Sequence, residues 1–407
     1  MRQVYLDHQA STPVLPEVCE AMRPYFTDVQ GNASSMHAHG LRAREALAKA
    51  RAQVAALIHA ESPDDIIFTS NGTEAANLAV KGLAWANQRH GNHLIASAIE
   101  HPAVLNSIEF LEKRGFEATR GRVDGVGRVD PADVRAAMTE KTILICTHLS
   151  NHDLGTRQAI REIGEIAGNA GIPLFVDGSF GGGWLPVDVQ ALGIRLLSLA
   201  PHRFYGPKGV GVLYRHRTAR LANLIHGGNQ EGGRRAGTEN VAAIVGAGVA
   251  AERAARDLEA RMRHTSSLQQ RLLEQLRTKV THTRLNGPEP GPDRLGTHLN
   301  LSVEFVEGEA LMLHLDLKGA AITSGTSCVS RSMKISPALA AIGLDHALAR
   351  GSVLMTLGKE NTAEEIDWFS TAFADSVEHL RKQSPAWEDF QRGAIRSVTL
   401  ERTQGEH

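Results

Sequence analysis

Short runs of apolar residues alternate along this chain with longer segments whose apolar positions recur every three to four residues. The runs Asp65–Ser70 (DIIFTS), His93–Ala98, Thr142–His148 (TILICTH) and Ile172–Asp177 (IPLFVD) have the length and bulk of buried strands. Between them, Glu74–His90 and Ala159–Ala170 carry helical spacing, and Val210–Tyr214 is a further strand behind the glycines of GPKGVG. Strand and helix in alternation predict βαβ units and a mostly parallel sheet. Val241–Lys279 predicts one long helix into a C-terminal subdomain. That subdomain holds the strand-like Thr297–Val306, the region around residue 328 and a last helix from Thr362 to Lys382. The polar stretch after Gln383 predicts a loosely ordered tail. The expected organisation is a large domain over 1–255, a small one over 256–384 and a tail over 385–407, with residues 1–20 free to pack on the small domain.

At 407 residues the chain exceeds one small core, and an apolar fraction of 42% with mixed charges fits a globular protein. The net charge of -1 gives no electrostatic case for nucleic acid or an anionic membrane. No apolar run approaches the roughly 20 residues of a membrane span. The opening MRQVYLDHQASTP has no signal-peptide core. Cys19, Cys146 and Cys328 are an odd, widely spaced set, which speaks against a disulfide framework and for a reducing cytoplasm. Cys19 and Cys146 fall in helical and strand patterns and are expected to be small core residues.

Two junctions invite chemistry. Thr69–Thr73 (TSNGT) joins a predicted strand to a helix, where free N–H groups and the Thr73 hydroxyl could receive a phosphate. An ordinary helix cap would use the same residues. Asp177 ends an apolar strand, the place where ligands of open parallel sheets gather.

Longer motifs sharpen the picture. SLAPHRFYGPKGVGVL (198–213), TSNGTEAANLAVKG, IEHPAVLN, SNHDLGTRQ, GGRRAGTEN and TSGTSCVSRS occur in order, after VYLDHQASTP and QGNASSMHAHG. Together they resemble the cysteine desulfurases, class V members of the pyridoxal-phosphate (PLP) aminotransferase fold, from about residue 3 to about residue 382. The resemblance implies PLP fold type I: a large α/β domain with a mostly parallel mixed sheet flanked by helices, and a smaller α+β C-terminal domain. It implies a phosphate site at Gly72 and Thr73, and Asp177 on the pyridine nitrogen. His101 would stack over the ring, Asn151 would meet the ring hydroxyl, and His202 would lie at the phosphate end. Thr238 would reach the phosphate of a neighbouring subunit, which makes the protein a homodimer. Cys328, in a Gly/Ser/Thr-rich loop, would be the nucleophile that carries sulfur.

The same comparison exposes departures. Arg203 stands where the family holds PLP as a Schiff base on lysine, and a guanidinium is effectively always protonated and forms no such imine. Lys208 belongs to the GPKG turn and is no evident substitute. Ala200 replaces a phosphate-binding serine, Phe180 a glutamine at the ring oxygen, and Leu354 the arginine that grips the substrate carboxylate. Gly232 replaces another arginine, with Arg234 and Arg235 nearby, and His152–Asp153 replace an Asn-Glu pair. Changes confined to one site suggest a site rebuilt as a unit.

The favoured function is therefore a desulfurase-like sulfur-handling protein. It relays sulfur or serves iron–sulfur assembly through Cys328, with a sulfur acceptor or scaffold protein as partner, and PLP is non-covalent at most. The alternatives are an active desulfurase or related enzyme using non-covalent PLP, and a non-catalytic dimeric scaffold. A metal held by His101, His152, Asp177 and His202 is a further option, but these residues lack metal-ligand spacing.

Overall fold

A computed structural model describes residues 2–324, 326–327 and 334–399. Seven strands form the main sheet: β1 (Ile66–Thr69), β2 (His93–Ser97), β3 (Glu117–Gly121), β4 (Thr142–His148), β5 (Leu174–Asp177), β6 (Leu196–Leu199) and β7 (Gly211–Arg215). Their order is β1-β7-β6-β5-β4-β2-β3. All pairings are parallel except those of β7, which runs antiparallel to both β1 and β6. Every residue of β4 and β5 is buried, as expected of strands covered on both faces, and this is why they read as unbroken apolar runs. β3 (EATRG) escaped that reading because it is the half-exposed edge. β6 escaped it because the strand is only four residues long and runs straight into the turn at Pro201.

Helix α1 (Ala38–Leu57) packs along the first half of α5 (Val241–Lys279). Small residues allow the approach: a Cβ added at Gly248 would lie 2.6 Å from the Cα of Ala50. The second half of α5 belongs to another core, where Leu268, Leu272 and Leu276 meet Phe369 and Phe373 of α7 (Ala363–Arg381). α7 begins at a capping box made by Thr362 and Glu365. Beside it lies an antiparallel sheet of β8 (Thr283–Asn286), β9 (His298–Val303), β10 (Thr323–Ser324) and β11 (Ser352–Thr356), in the order β10-β11-β9-β8. The fold is thus α/β of PLP fold type I, with a smaller C-terminal sheet domain. The N-terminal segment joins the two bodies. Val4–Tyr5 pairs with Ala320–Ala321, and the Thr12 N–H and hydroxyl both donate to the His202 carbonyl.

Two expectations are corrected. Cys146 is buried, but Cys19 is exposed. The stretch after Gln383 is not loose over 385–399. It forms α8 (Pro385–Gln391), whose Phe390 stacks on Phe305 at 4.9 Å, and Ser397, Val398 and Thr399 donate to the carboxylate of Glu304. Two aromatic residues in a polar sequence suffice to anchor it.

Candidate active site

The site lies at the C-terminal ends of β5 and β6, between the main sheet and β9 and β11. Asp177, the last residue of β5, is 2% exposed. Its Oδ1 accepts hydrogen bonds from the Ser179 N–H at 2.9 Å and the Ser198 hydroxyl at 2.7 Å. Burial opposes its ionisation, but the attraction of His101 and these hydrogen bonds outweigh that cost and hold the carboxyl below its ordinary range.

His101 caps α3 (Pro102–Glu112), its Nδ1 accepting from the Ala103 N–H at 3.1 Å. Its ring meets His152 at 5.3 Å and Phe180 at 5.8 Å between centroids. Burial above all, then His152 and Arg203, push its pKa down to about 4, so the ring is neutral near pH 7. Asn151 is fully buried and engaged: its amide donates to the Ile99 carbonyl, and its oxygen accepts from the N–H groups of Asp153 and Leu154. Asp153 in turn receives the hydroxyl of Ser336, and His152 lies 3.6 Å from Asp153. The substituted pair thus ties the main sheet to the small domain.

The strand β1 turns into α2 (Gly72–Asn77) through Asn71, whose side chain accepts from the Glu74 N–H at 2.8 Å. Gly72 is needed for close approach: a Cβ there would lie 3.0 Å from Ser179 Oγ and 3.3 Å from Ala200 Cβ. Thr73 and Thr238 are exposed. Arg235 is bound to Glu74, while Arg234 donates to the carbonyls of Glu231 and Asp64. Neither is free to replace a missing carboxylate clamp. Leu354 lies buried in β11, paired with Asn300 and Thr323.

Arg203 ends a one-turn helix, Pro201–Arg203, that is held on several sides. Two residues on, Tyr205 has φ of 73°, a strained value for a bulky residue, and its N–H donates to Thr12 Oγ1 at 2.7 Å. The Arg203 carbonyl accepts from Trp184 Nε1 at 2.8 Å. Its guanidinium carbon sits 3.5 Å over the ring of Phe180. The Nε and Nη1 groups are buried with no hydrogen-bond partner, and among the described residues no carboxylate lies within ion-pair distance. Burial pulls the pKa down to about 10 against the attraction of Asp177 and Asp7, so the group stays cationic near neutrality. Cation–π attraction of about 2 kcal/mol does not offset an uncompensated buried charge, on the order of 3–5 kcal/mol. His202, beside it, is pushed down to about 4 by burial and by Arg203 and Lys208; Lys208 itself is exposed.

A small cavity of about 20 Å³ opens at Arg203, lined also by His8, Gln9, Ser179, Phe180 and His298. His298, from the start of β9, went unnoticed in the sequence, and His8 and Gln9 were read only as part of the motif VYLDHQASTP. His298 is in phase with the polar positions Asn300, Ser302 and Glu304 of the alternating THLNLSVEFV, so nothing in that pattern set it apart. It is buried, bonded through Nδ1 to Thr297 Oγ1 at 2.8 Å, and held neutral with a pKa of about 3, chiefly by burial and by Arg294 and Arg203. Among the described residues no group of three or more His, Cys, Asp or Glu side chains could hold a metal ion. No described helix is long and apolar enough to cross a membrane. Cys328 lies outside the described residues.

Comparison with known proteins now adds to the geometry. Residues 4–369 match the family model of class V aminotransferases. The chain is 41% identical over 391 residues to a cysteine desulfurase IscS of Clostridium botulinum, covering 96% of this chain and 98% of that protein. It is 43% identical over 384 residues to one from Methanosarcina thermophila, covering 94% of each. Among solved structures, a NifS-like protein superposes with a TM-score of 0.87 at 31% identity, over 93% of this chain and all of the other. DndA from Streptomyces lividans does so with a TM-score of 0.74 at 32% identity, over 87% of this chain and 99% of the other. The chain belongs to the class V aminotransferase family, among relatives named cysteine desulfurases.

Proposed function

We propose that this protein handles sulfur on the Cys328 thiol and does not desulfurate cysteine on a lysine-bound cofactor. One observation carries the reading: the position of the expected Schiff-base lysine holds Arg203, a buried cation stacked on Phe180. The relatives' chemistry implies PLP, which supplies an electron sink for carbanions when bound. The residues present do not fit PLP in its lysine-anchored form. No primary amine replaces the missing lysine at position 203, Lys208 points to solvent exposure, and Phe180 and Leu354 are apolar where polar contacts to ring and substrate are expected. The cavity beside Arg203, about 20 Å³, falls far below the roughly 300–1,000 Å³ of small-molecule pockets.

In this reading sulfur arrives already mobile. The Cys328 thiolate attacks the outer sulfur of a donor persulfide, the donor's S–S bond breaks, a new S–S bond forms on Cys328, and the donor leaves as a thiolate. No net oxidation is involved. An acceptor protein then takes the sulfur by the same exchange, and a homodimer in the cytoplasm is the expected form. The test joins two measurements on purified protein. Incubation with a low-molecular-weight persulfide should give a persulfide on Cys328 by mass spectrometry, lost in Cys328→Ser. Incubation with cysteine and added PLP should release no sulfide. Sulfide release from cysteine overturns the reading.

A second reading has its own support. Asp177, kept ionised by Ser179 and Ser198, is the group expected under a pyridine nitrogen, and this favours PLP held without a covalent bond. Yellow colour on PLP addition together with sulfide from cysteine would select it.

A further inference from the structure

The cleft between Asp177, His101 and His298 is filled by the chain's own side chains. The guanidinium carbon of Arg203 lies 3.5 Å from the centre of the Phe180 ring, which is van der Waals contact. That ring in turn meets His152 at 5.5 Å, His101 at 5.8 Å and His298 at 6.4 Å between centroids. A ring stacked between two others would hold them about 7–8 Å apart, twice the contact distance of carbon atoms, so none of these gaps admits another ring. Phe180 is 7% exposed, and its carbonyl accepts from Ser150 Oγ at 3.1 Å, which fixes the backbone beneath it. Beside Arg203 about 20 Å³ remains, space for one water, which needs about 10–15 Å³.

We infer that Phe180 and Arg203 form an intramolecular plug in the inherited cofactor cleft, so that this chain does not bind PLP even without a covalent bond. Both residues are departures from the desulfurase pattern, and each contributes in a different way. Phe180 brings an aromatic ring where the pattern has a polar contact, and Arg203 seals one face of that ring. The polar groups that the resemblance assigns to the cofactor ring are engaged inside the protein. The Asn151 oxygen takes the N–H groups of Asp153 and Leu154, and Asp177 takes the Ser179 N–H and the Ser198 hydroxyl. Asp177 and Asp7 attract Arg203, so a guanidinium supplies the positive charge that a protonated pyridine nitrogen would bring. Ala200 offers no hydroxyl to a phosphate. The plug stands whether or not Cys328 carries sulfur, and it decides against the reading with non-covalent PLP.

Equilibrium dialysis of the full chain against PLP tests it, with pyridoxine 5′-phosphate in parallel because that compound has no aldehyde and forms no imine with exposed lysines. The unsubstituted chain should retain no saturable pyridoxine 5′-phosphate up to about 1 mM, and its Tm should not rise with that compound. The double variant Phe180→Ala with Arg203→Ala removes the plug and should bind pyridoxine 5′-phosphate, one per chain, at least tenfold below that limit. If it does not fold, Phe180→Gln with Arg203→Lys keeps the bulk and the charge, and should show the same gain together with an imine to PLP. Saturable retention of one pyridoxine 5′-phosphate by the unsubstituted chain overturns the inference, as does a folded variant that gains no binding. A chain that binds PLP in this cleft but releases no sulfide from cysteine overturns the plug alone and leaves the sulfur-handling reading in place. Sulfide release overturns both.

Discussion

Two walls of one cleft differ in how their polar groups are satisfied. On the Asp177 wall each group has a partner in the protein: Ser179 and Ser198 serve the carboxylate, Ala103 serves His101, and Ile99, Asp153 and Leu154 serve Asn151. On the Arg203 wall the guanidinium has a ring beneath it and no hydrogen bond at two of its nitrogens. The first wall is a closed network of the kind that fixes a fold. The second leaves a buried charge unpaired. Substitutions relative to the desulfurase pattern fall on both walls: Arg203 and Phe180 on the second, and His152 and Asp153 beside His101 and Asn151 on the first, where the hydrogen-bond network survives. A family scaffold can therefore be kept while its reacting edge is exchanged.

The largest effect that sharpens this contrast is expected on acidification. His101 and His298 have pKa values near 4 and 3 in the folded chain, below the ordinary 6.5. The unfolded chain then binds more protons between pH 6.5 and about 4, so stability is full above pH 6.5 and falls as pH drops through that window. The slope is about 1.4 kcal/mol per pH unit for each ring. Urea unfolding across this range should show it, and His298→Phe should lower the slope by about 1.4 kcal/mol per pH unit, leaving the shares of His101 and His202. A slope unchanged in that variant would break the assignment to the cavity wall.

Next in size, Asp177→Ala strands two buried donors and removes the nearest balancing charge from Arg203. A loss of about 3–5 kcal/mol is expected in urea unfolding; a loss below 1 kcal/mol would show that the first wall is not a closed network. Phe180→Leu removes the ring under the guanidinium and should cost about 1–3 kcal/mol. If that variant is as stable as the parent, the stacking does not hold Arg203. Smallest of all, Thr238→Ala alters an exposed hydroxyl, and the Tm should move by the equivalent of no more than about 0.5 kcal/mol. A larger drop, together with a change in size in solution, would show that Thr238 works across a subunit interface.

Much of this was legible in the sequence because it is local. Thr142–His148 and Val241–Lys279 are long, patterned segments, and their limits in the structure coincide with the pattern. Asp177 could be placed at a strand end for the same reason. The edge strand Glu117–Gly121 could not, since half exposure removes the apolar run that marks a strand. Nor could the cavity wall. His8, Gln9 and His298 reach Arg203 only because the first residues pair with Ala320–Ala321 and β9 packs beside them, a contact between segments some 290 residues apart. Arg203 was visible as a substitution, but its stacking on Phe180 and its unpartnered nitrogens are products of tertiary packing.

Whether any lysine of this chain forms an imine with PLP decides the central claim. The purified protein should be incubated with PLP, reduced with borohydride, which converts an imine to a stable secondary amine, and mapped by peptide mass spectrometry. The account predicts no pyridoxyl group at an active-site peptide, with residues 198–213 recovered unmodified. A pyridoxyl-lysine formed stoichiometrically, at Lys208 or any other position, would contradict it.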